Sequence, residues 1–342
     1  MRRRSLGTFL TRWLSVCAAT LLVAPSLAAV AAATDFGLIT GGERGTYHQF
    51  GQDLKRLLKP SGINVTVHAS KGAVDNVQAI SQRPEVQLAI VQSDVLTFVA
   101  DQQSIPPIGR IAQGLRLLFP LYGEEVHVLA RRELATLEAL AGKRVAIGQE
   151  GSGTYFTARL LFRLAEIAPG EMVALDGAEA MAQLKAGRID AMVAVLAQPV
   201  WRFRNDVKVE DGLALIPITS RAILDRYAAA EIPAGTYPWQ TTPVSTVATK
   251  AVLVAYDADR RDCDSLGRLA QHVAAGMDWL VKNGHAQWKR VDLEQPVAGW
   301  EQYDCVQKYV GQAAKGGAPS ASAGERNPIA DAIKEALEKR RR

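Results

Sequence analysis

From residue 36 the chain repeats one unit: a short apolar run, a turn of Gly, Ser, Thr and Asp, then residues at helical spacing. Residues 36–39 read as a strand and 40–45 (Thr-Gly-Gly-Glu-Arg-Gly) as its turn. The helix after it carries Phe50, Leu54, Leu57 and Leu58 at i, i+4, i+7 and i+8, one apolar face, and Pro60-Ser61-Gly62 ends it. A second unit runs from a strand at 63–67 through Ser70-Lys71-Gly72 into a helix over 73–81. A third runs from 86–91 through Gln92-Ser93-Asp94, with Ser93 a candidate N-cap. Such succession predicts parallel strands covered on both faces by helices.

The pattern restarts after Leu121-Tyr122-Gly123. Strands are expected at 126–130 and 144–148, and the turn 149–153 opens a helix with Phe156, Leu160, Leu164 and Ile167 in line. Apolar runs at 172–175, 191–196 and 213–216 and a helical 178–186 continue the alternation. Residues 233–243 are irregular, 244–255 read as a long strand, and helices over 263–283 and 297–310 close the fold. The economical α/β architecture has two lobes, 34–122 plus 245–310 and 123–244, each a mainly parallel sheet flanked by helices. The chain crosses between them twice, an arrangement suited to a hinge.

The ends read differently. Residues 1–33 hold four arginines and no acid, then an uncharged apolar stretch over 14–30 and small-residue cleavage sites near Ala31 and Ala33. This is the pattern of a cleaved secretory signal peptide, which places the mature protein in the periplasm. Residues 311–327 are small and polar, a flexible linker; 328–342 form a basic C-terminal helix or tail. The formal charge of +5 is mostly the leader's, since 36 basic residues remain against 35 acidic ones. A nucleic-acid partner is therefore not expected. Two cysteines remain after the leader, Cys263 and Cys305, and an even pair in an exported chain predicts a disulfide.

No enzyme motif stands out. The five histidines show no i+3 or i+4 pairing, no phosphate loop ends in Gly-Lys-Ser/Thr, and Ser152 lies in Glu-Gly-Ser-Gly-Thr rather than a hydrolase elbow. No catalytic residue, metal or cofactor is expected. The sequence offers helix starts instead. Residues 40–47, 70–76, 92–94 and 149–155 each set small polar residues between a strand and a helix, at the carboxyl edge where ligands of open α/β sheets bind. Free N–H groups and the positive dipole end suit such turns to a carboxylate. Tyr47 and Tyr155 each either stack on a ligand or pack on their own lobe. Asp94 either accepts a ligand ammonium or caps its helix, and Lys71 either pairs with an acidic ligand or stays solvated.

The chain resembles the TAXI-type solute receptors of TRAP transporters, periplasmic binding proteins with the two-lobe type II clamshell fold. The matching stretches, in order across about 36–310, include Thr40-Gly41-Gly42 with Gly45-Thr46-Tyr47, Asn76, Ala89-Ile90-Val91-Gln92-Ser93-Asp94 and Leu121-Tyr122-Gly123-Glu124-Glu125-Val126-His127. Further on are residues 142–148, Gly151-Ser152-Gly153-Thr154, residues 184–191 and Pro233-Ala234-Gly235-Thr236-Tyr237. The resemblance implies capture of a small organic anion, glutamate, glutamine or 2-oxoglutarate-like, for delivery to an ion-driven TRAP-type membrane permease. A periplasmic sensor or adaptor signalling to another partner is the alternative. The implied ligand-binding set, joined to the turn readings, is Gly41, Gly42, Thr46, Tyr47, Ser70, Lys71, Asn76, Gln92, Ser93, Asp94, Ser152, Gly153, Thr154 and Tyr155. Where the family has a Gly-Ser pair before its Val-x-Asn segment, this chain has Gly72-Ala73. The lost hydroxyl either changes the ligand or is replaced by Ser70 or Lys71.

Overall fold

The computed structural model of the chain describes residues 34–314; the leader and the basic tail expected at the two ends lie outside the described residues. The three predicted units form as β1 (Thr34–Ile39), α1 (Thr46–Leu58), β2 (Ile63–His68), α2 (Ala73–Gln82), β3 (Leu88–Gln92) and α3 (Ser93–Asp101). A helix not foreseen, α4 (Pro106–Gly114), leads into β4 (Leu115–Arg131). Then come β5 (Arg144–Ala146), α5 (Gly153–Leu164), β6 (Glu171–Val173), α6 (Gly177–Lys185), β7 (Ala191–Leu196), α7 (Trp201–Asn205), β8 (Leu213–Leu215), α8 (Arg221–Leu224) and β9 (Ala228–Ile232). The chain returns along β10 (Val244–Tyr256) to α9 (Cys263–Ala275), α10 (Met277–Asn283) and α11 (Asp304–Ala314).

All ten strands share one mixed sheet, ordered β2-β1-β3-β10-β4-β7-β5-β6, with β8 on β4 and β9 on β10. β1 pairs parallel with β2 and β3, and β5 with β6 and β7, as βαβ units require. β10 runs antiparallel to both β3 and β4. The period-2 alternation of strand side chains builds separate cores on the two faces. Leu38, Leu88 and Ile90 join one cluster, and Ile39, Ala89 and Val91 the opposite one. In the other half, Val145, Val193 and Val195 face one cluster and Ala146, Met192 and Ala194 the other. The long strands β4 and β10 run through both halves and carry the chain across and back.

Four sequence expectations shift. Leu121-Tyr122-Gly123 is no break: β4 is continuous through it, its residues largely buried and paired with β10 on either side of a bulge at Leu121–Tyr122. The most buried residues of α5 are Thr157, Ala158, Leu161 and Phe162, and the expected Leu160, Leu164 and Ile167 pack at the edge of the core. Phe156 turns instead to α3, its ring 5.2 Å from that of Phe98. Ser93 does not cap α3, since Gln92 holds the cap position and the Ser93 hydroxyl is bonded to β10. The last helix begins at Asp304, after an irregular 297–303, and continues to Ala314 rather than ending at 310. Cys263 at the start of α9 and Cys305 in α11 form a disulfide, their Cα atoms 5.4 Å apart.

Candidate functional site

Strands β1, β2 and β3 from one half and β5 from the other end at the same edge, and α1, α2, α3 and α5 start just beyond. The α1 and α5 starts share one geometry: Gly45, the N-cap of α1, has φ −81° and ψ 158°, and Ser152, the N-cap of α5, φ −81° and ψ 159°. The Ser152 hydroxyl accepts from the Tyr155 N–H at 3.1 Å; Gly45 has no side chain to do so. Orphan N–H groups therefore remain at both starts.

Between them lies a cavity of about 140 Å³. Of the residues expected there, Gly41, Gly42, Thr46, Tyr47, Lys71, Gln92, Ser152, Gly153 and Thr154 line it. The halves touch at its edge. The Asp75 N–H donates to the Gly151 carbonyl at 3.0 Å, and the Gln149 amide donates to the Lys71 carbonyl at 3.1 Å. Gly72 holds φ +127°, and a Cβ there would lie 3.2 Å from the Ser152 Cα, so both backbone conformation and space require glycine. At Gly153 only space is at issue: a Cβ there would collide with the Gln92 amide.

The deep wall is polar. Gln92 is 2% exposed and neither amide atom has a partner; the Tyr122 hydroxyl is likewise buried and unpartnered. Buried polar groups are normally satisfied, so these atoms are the exceptions in the wall. Beside them Tyr47 donates to Glu124 at 2.8 Å. Glu124 is 3% exposed. Burial pushes its pKa up to about 8, opposed by the Tyr47 bond and reinforced by the Asp94 and Glu125 charges. Burial also raises the Tyr47 and Tyr122 phenols, so both stay protonated hydroxyls.

Five expected residues serve elsewhere. Asn76 is fully buried behind the cavity, donating to the carbonyls of Thr40 and, at 2.7 Å, Ile90. Its oxygen accepts from the Ser70 hydroxyl at 2.5 Å. With its amide so engaged, Asn76 joins Ser70 in pinning the ends of β1 and β3 instead of lining the site. The Ser93 hydroxyl lies 2.9 Å from that of Thr249 and accepts from the Lys250 N–H. Asp94 neither meets the cavity nor caps by side chain. Its carboxylate accepts from Thr157 at 2.6 Å, Tyr227 at 2.9 Å, the Val95 N–H at 3.0 Å and Thr249 at 3.3 Å, tying α3 to α5, β10 and the turn after α8. Burial raises the Asp94 pKa despite those bonds. Tyr155 packs on the core of its own half, its ring under the Arg159 guanidinium at 5.4 Å. Thr154 lines the cavity, but its hydroxyl accepts from the Val195 N–H at 3.1 Å and so anchors α5 to β7.

The turn-based reading missed Tyr122, Glu124 and Leu196. Tyr122 and Glu124 stand two apart on one face of β4, a signal hidden when residues 121–123 are read as a turn. Among the described residues no group of three or more His, Cys, Asp or Glu is placed to hold a metal.

A mixed sheet bridged by two long strands, with a cavity where helix starts of both halves converge, defines the α/β fold of the two-lobe type II periplasmic binding proteins. Residues 38–262 match the NMT1-like family, and the chain belongs to it. The chain is similar in fold to the periplasmic binding protein BugD, at 11% identity and a TM-score of 0.50 over 83% of this chain and 95% of that one. MatC from Rhodopseudomonas palustris, solved with bound malate, aligns at 16% identity and a TM-score of 0.49 over 82% of this chain and 97% of that one. Tv2483 bound to L-arginine aligns at 11% and 0.49, over 77% and 95%.

Proposed function

We propose that this protein is an extracytoplasmic solute receptor, exported by the leader at 1–33, that holds a small organic carboxylate between lobes 34–122 plus 245–310 and 123–244 without chemically altering it. The observation that carries the reading is the pair of buried, unpartnered side chains, Gln92 and Tyr122, facing a cavity bordered by helix starts from both halves. The guest's carboxylate lies against the N–H groups of α1 and α5. Its other polar groups satisfy Gln92, Tyr122 and Glu124. A glutamate- or glutamine-type guest suits the wall better than 2-oxoglutarate, because its ammonium can pair with Glu124. The partner to which the guest is passed is a TRAP-type permease. A guest of this kind closes the lobes only through its higher affinity for the closed form.

Titration calorimetry at pH 7 in buffers of different ionisation enthalpy tests this. An ammonium beside Glu124 lowers its pKa from about 8, so binding of L-glutamate or L-glutamine is expected to release a sizeable fraction of a proton. 2-Oxoglutarate is expected to bind more weakly and release none. Absence of binding across all three acids, or conversion of a bound acid seen by mass spectrometry, would overturn the reading.

A further inference from the structure

A second cavity of about 890 Å³ lies beside the first, and the two share Gly45, Thr46 and Leu196 as walls. Its character is different. β7 is buried from Ala191 to Val195, but Leu196, its last residue, is 42% exposed. Trp201, the first residue of α7, is 67% exposed, beside the buried Val200. All three line the larger cavity. The charge of Arg202, next in the chain, is offset by Asp206 at 3.7 Å. An exposed Leu and indole beside a binding cavity leave apolar area that a ligand can cover, and the inner cavity has room for a polar head alone, well under the usual volume of a pocket for larger organic ligands.

We infer that the natural guest is an acid with an apolar arm: its polar head fills the inner cavity while an aliphatic or aromatic arm passes the Thr46–Leu196 wall and lies on Trp201 and Val200. This rests on the inner cavity being the head-group site. The common wall consists of a glycine, a threonine and one Leu side chain with an exposed face, which a rotamer change can move aside.

Calorimetry with L-glutamate and γ-benzyl L-glutamate provides the test, the benzyl ester supplying the arm on an unchanged amino-acid head. The arm is expected to tighten binding by about tenfold or more, the scale set by covering one aromatic ring's worth of apolar surface. Trp201→Ala is expected to reduce that ratio to about threefold or less; its exposure makes misfolding easy to check by circular dichroism. Glutamate binding with no gain from the ester, or a gain that survives Trp201→Ala, would overturn the inference and leave the receptor reading standing. Failure of both compounds to bind would overturn the inference, and the receptor reading would fall with it only if L-glutamine and 2-oxoglutarate also fail to bind.

Discussion

At the scale of single residues, Glu124 sets the electrostatics of the site. Its raised pKa means that the folded protein keeps a proton that the unfolded chain releases. That contribution to stability is complete below the unfolded value of 4.5, is lost as pH rises towards about 8, and changes little beyond. Urea denaturation of the ligand-free protein at pH 5 and pH 8 is expected to show Glu124→Gln losing about 2–4 kcal/mol less than wild type over that interval. An identical loss in both would remove Glu124 from the account. The turn glycines Gly41, Gly42 and Gly153 were legible as cavity lining, while the hydroxyls of Ser70 and Ser93 in the same kind of turn are spent on holding strands together. Glu124 was not legible, since a buried carboxyl has no spacing signature and only its place on β4, two residues past Tyr122, gives it away. Asn76 and Asp94 show the converse: a polar residue at a helix start can be spent wholly on its own fold.

At the scale of elements, the approach of α3 and α5 governs the site, because α5 brings Ser152, Gly153 and Thr154 to the cavity while Asp94 of α3 holds Thr157 of α5. Asp94→Asn keeps the shape but turns charged hydrogen bonds into neutral ones. It is expected to cost about 1–3 kcal/mol in denaturation and to weaken ligand binding although residue 94 does not line the cavity; unchanged affinity would show that the tie plays no part in shaping the site. Gly153→Ala forces a methyl onto the Gln92 amide. A drop of about 10–100-fold in affinity is expected, and wild-type affinity would mean that this contact is absent in the liganded protein. Periodicity located most helices and strands because their apolar faces are regular. It put Phe156 in line with Leu160, Leu164 and Ile167, although Phe156 packs against a different core cluster beside α3, and missed β9, whose Ala-Ala-Ala-Glu-Ile sequence becomes a strand only by pairing with β10.

At the scale of the whole molecule, one sheet with four cores joins two halves through β4 and β10, and the cavity lies where both present helix starts. The α/β class and the long return strand follow from the order of apolar runs alone; the continuous crossing along β4 and the closeness of the halves do not, because the bond from Asp75 to Gly151 depends on turns far apart in sequence. The Cys263–Cys305 bond closes a 42-residue separation on α9 and α11, elements that contribute no residue to the inner cavity. In the chain-entropy view it contributes about 4 kcal/mol. Reduction is therefore expected to lower the melting temperature by about 10 °C while leaving the order of ligand affinities unchanged; a changed order would place the disulfide's influence at the site. The central claim is that both halves grip one guest, and a crystal structure of the protein with L-glutamate tests it most directly. The predicted result is a carboxylate within hydrogen-bonding distance of N–H groups at the start of α1 and of α5 at once. A guest held by only one of those helices, or seated outside the cavity, would contradict it.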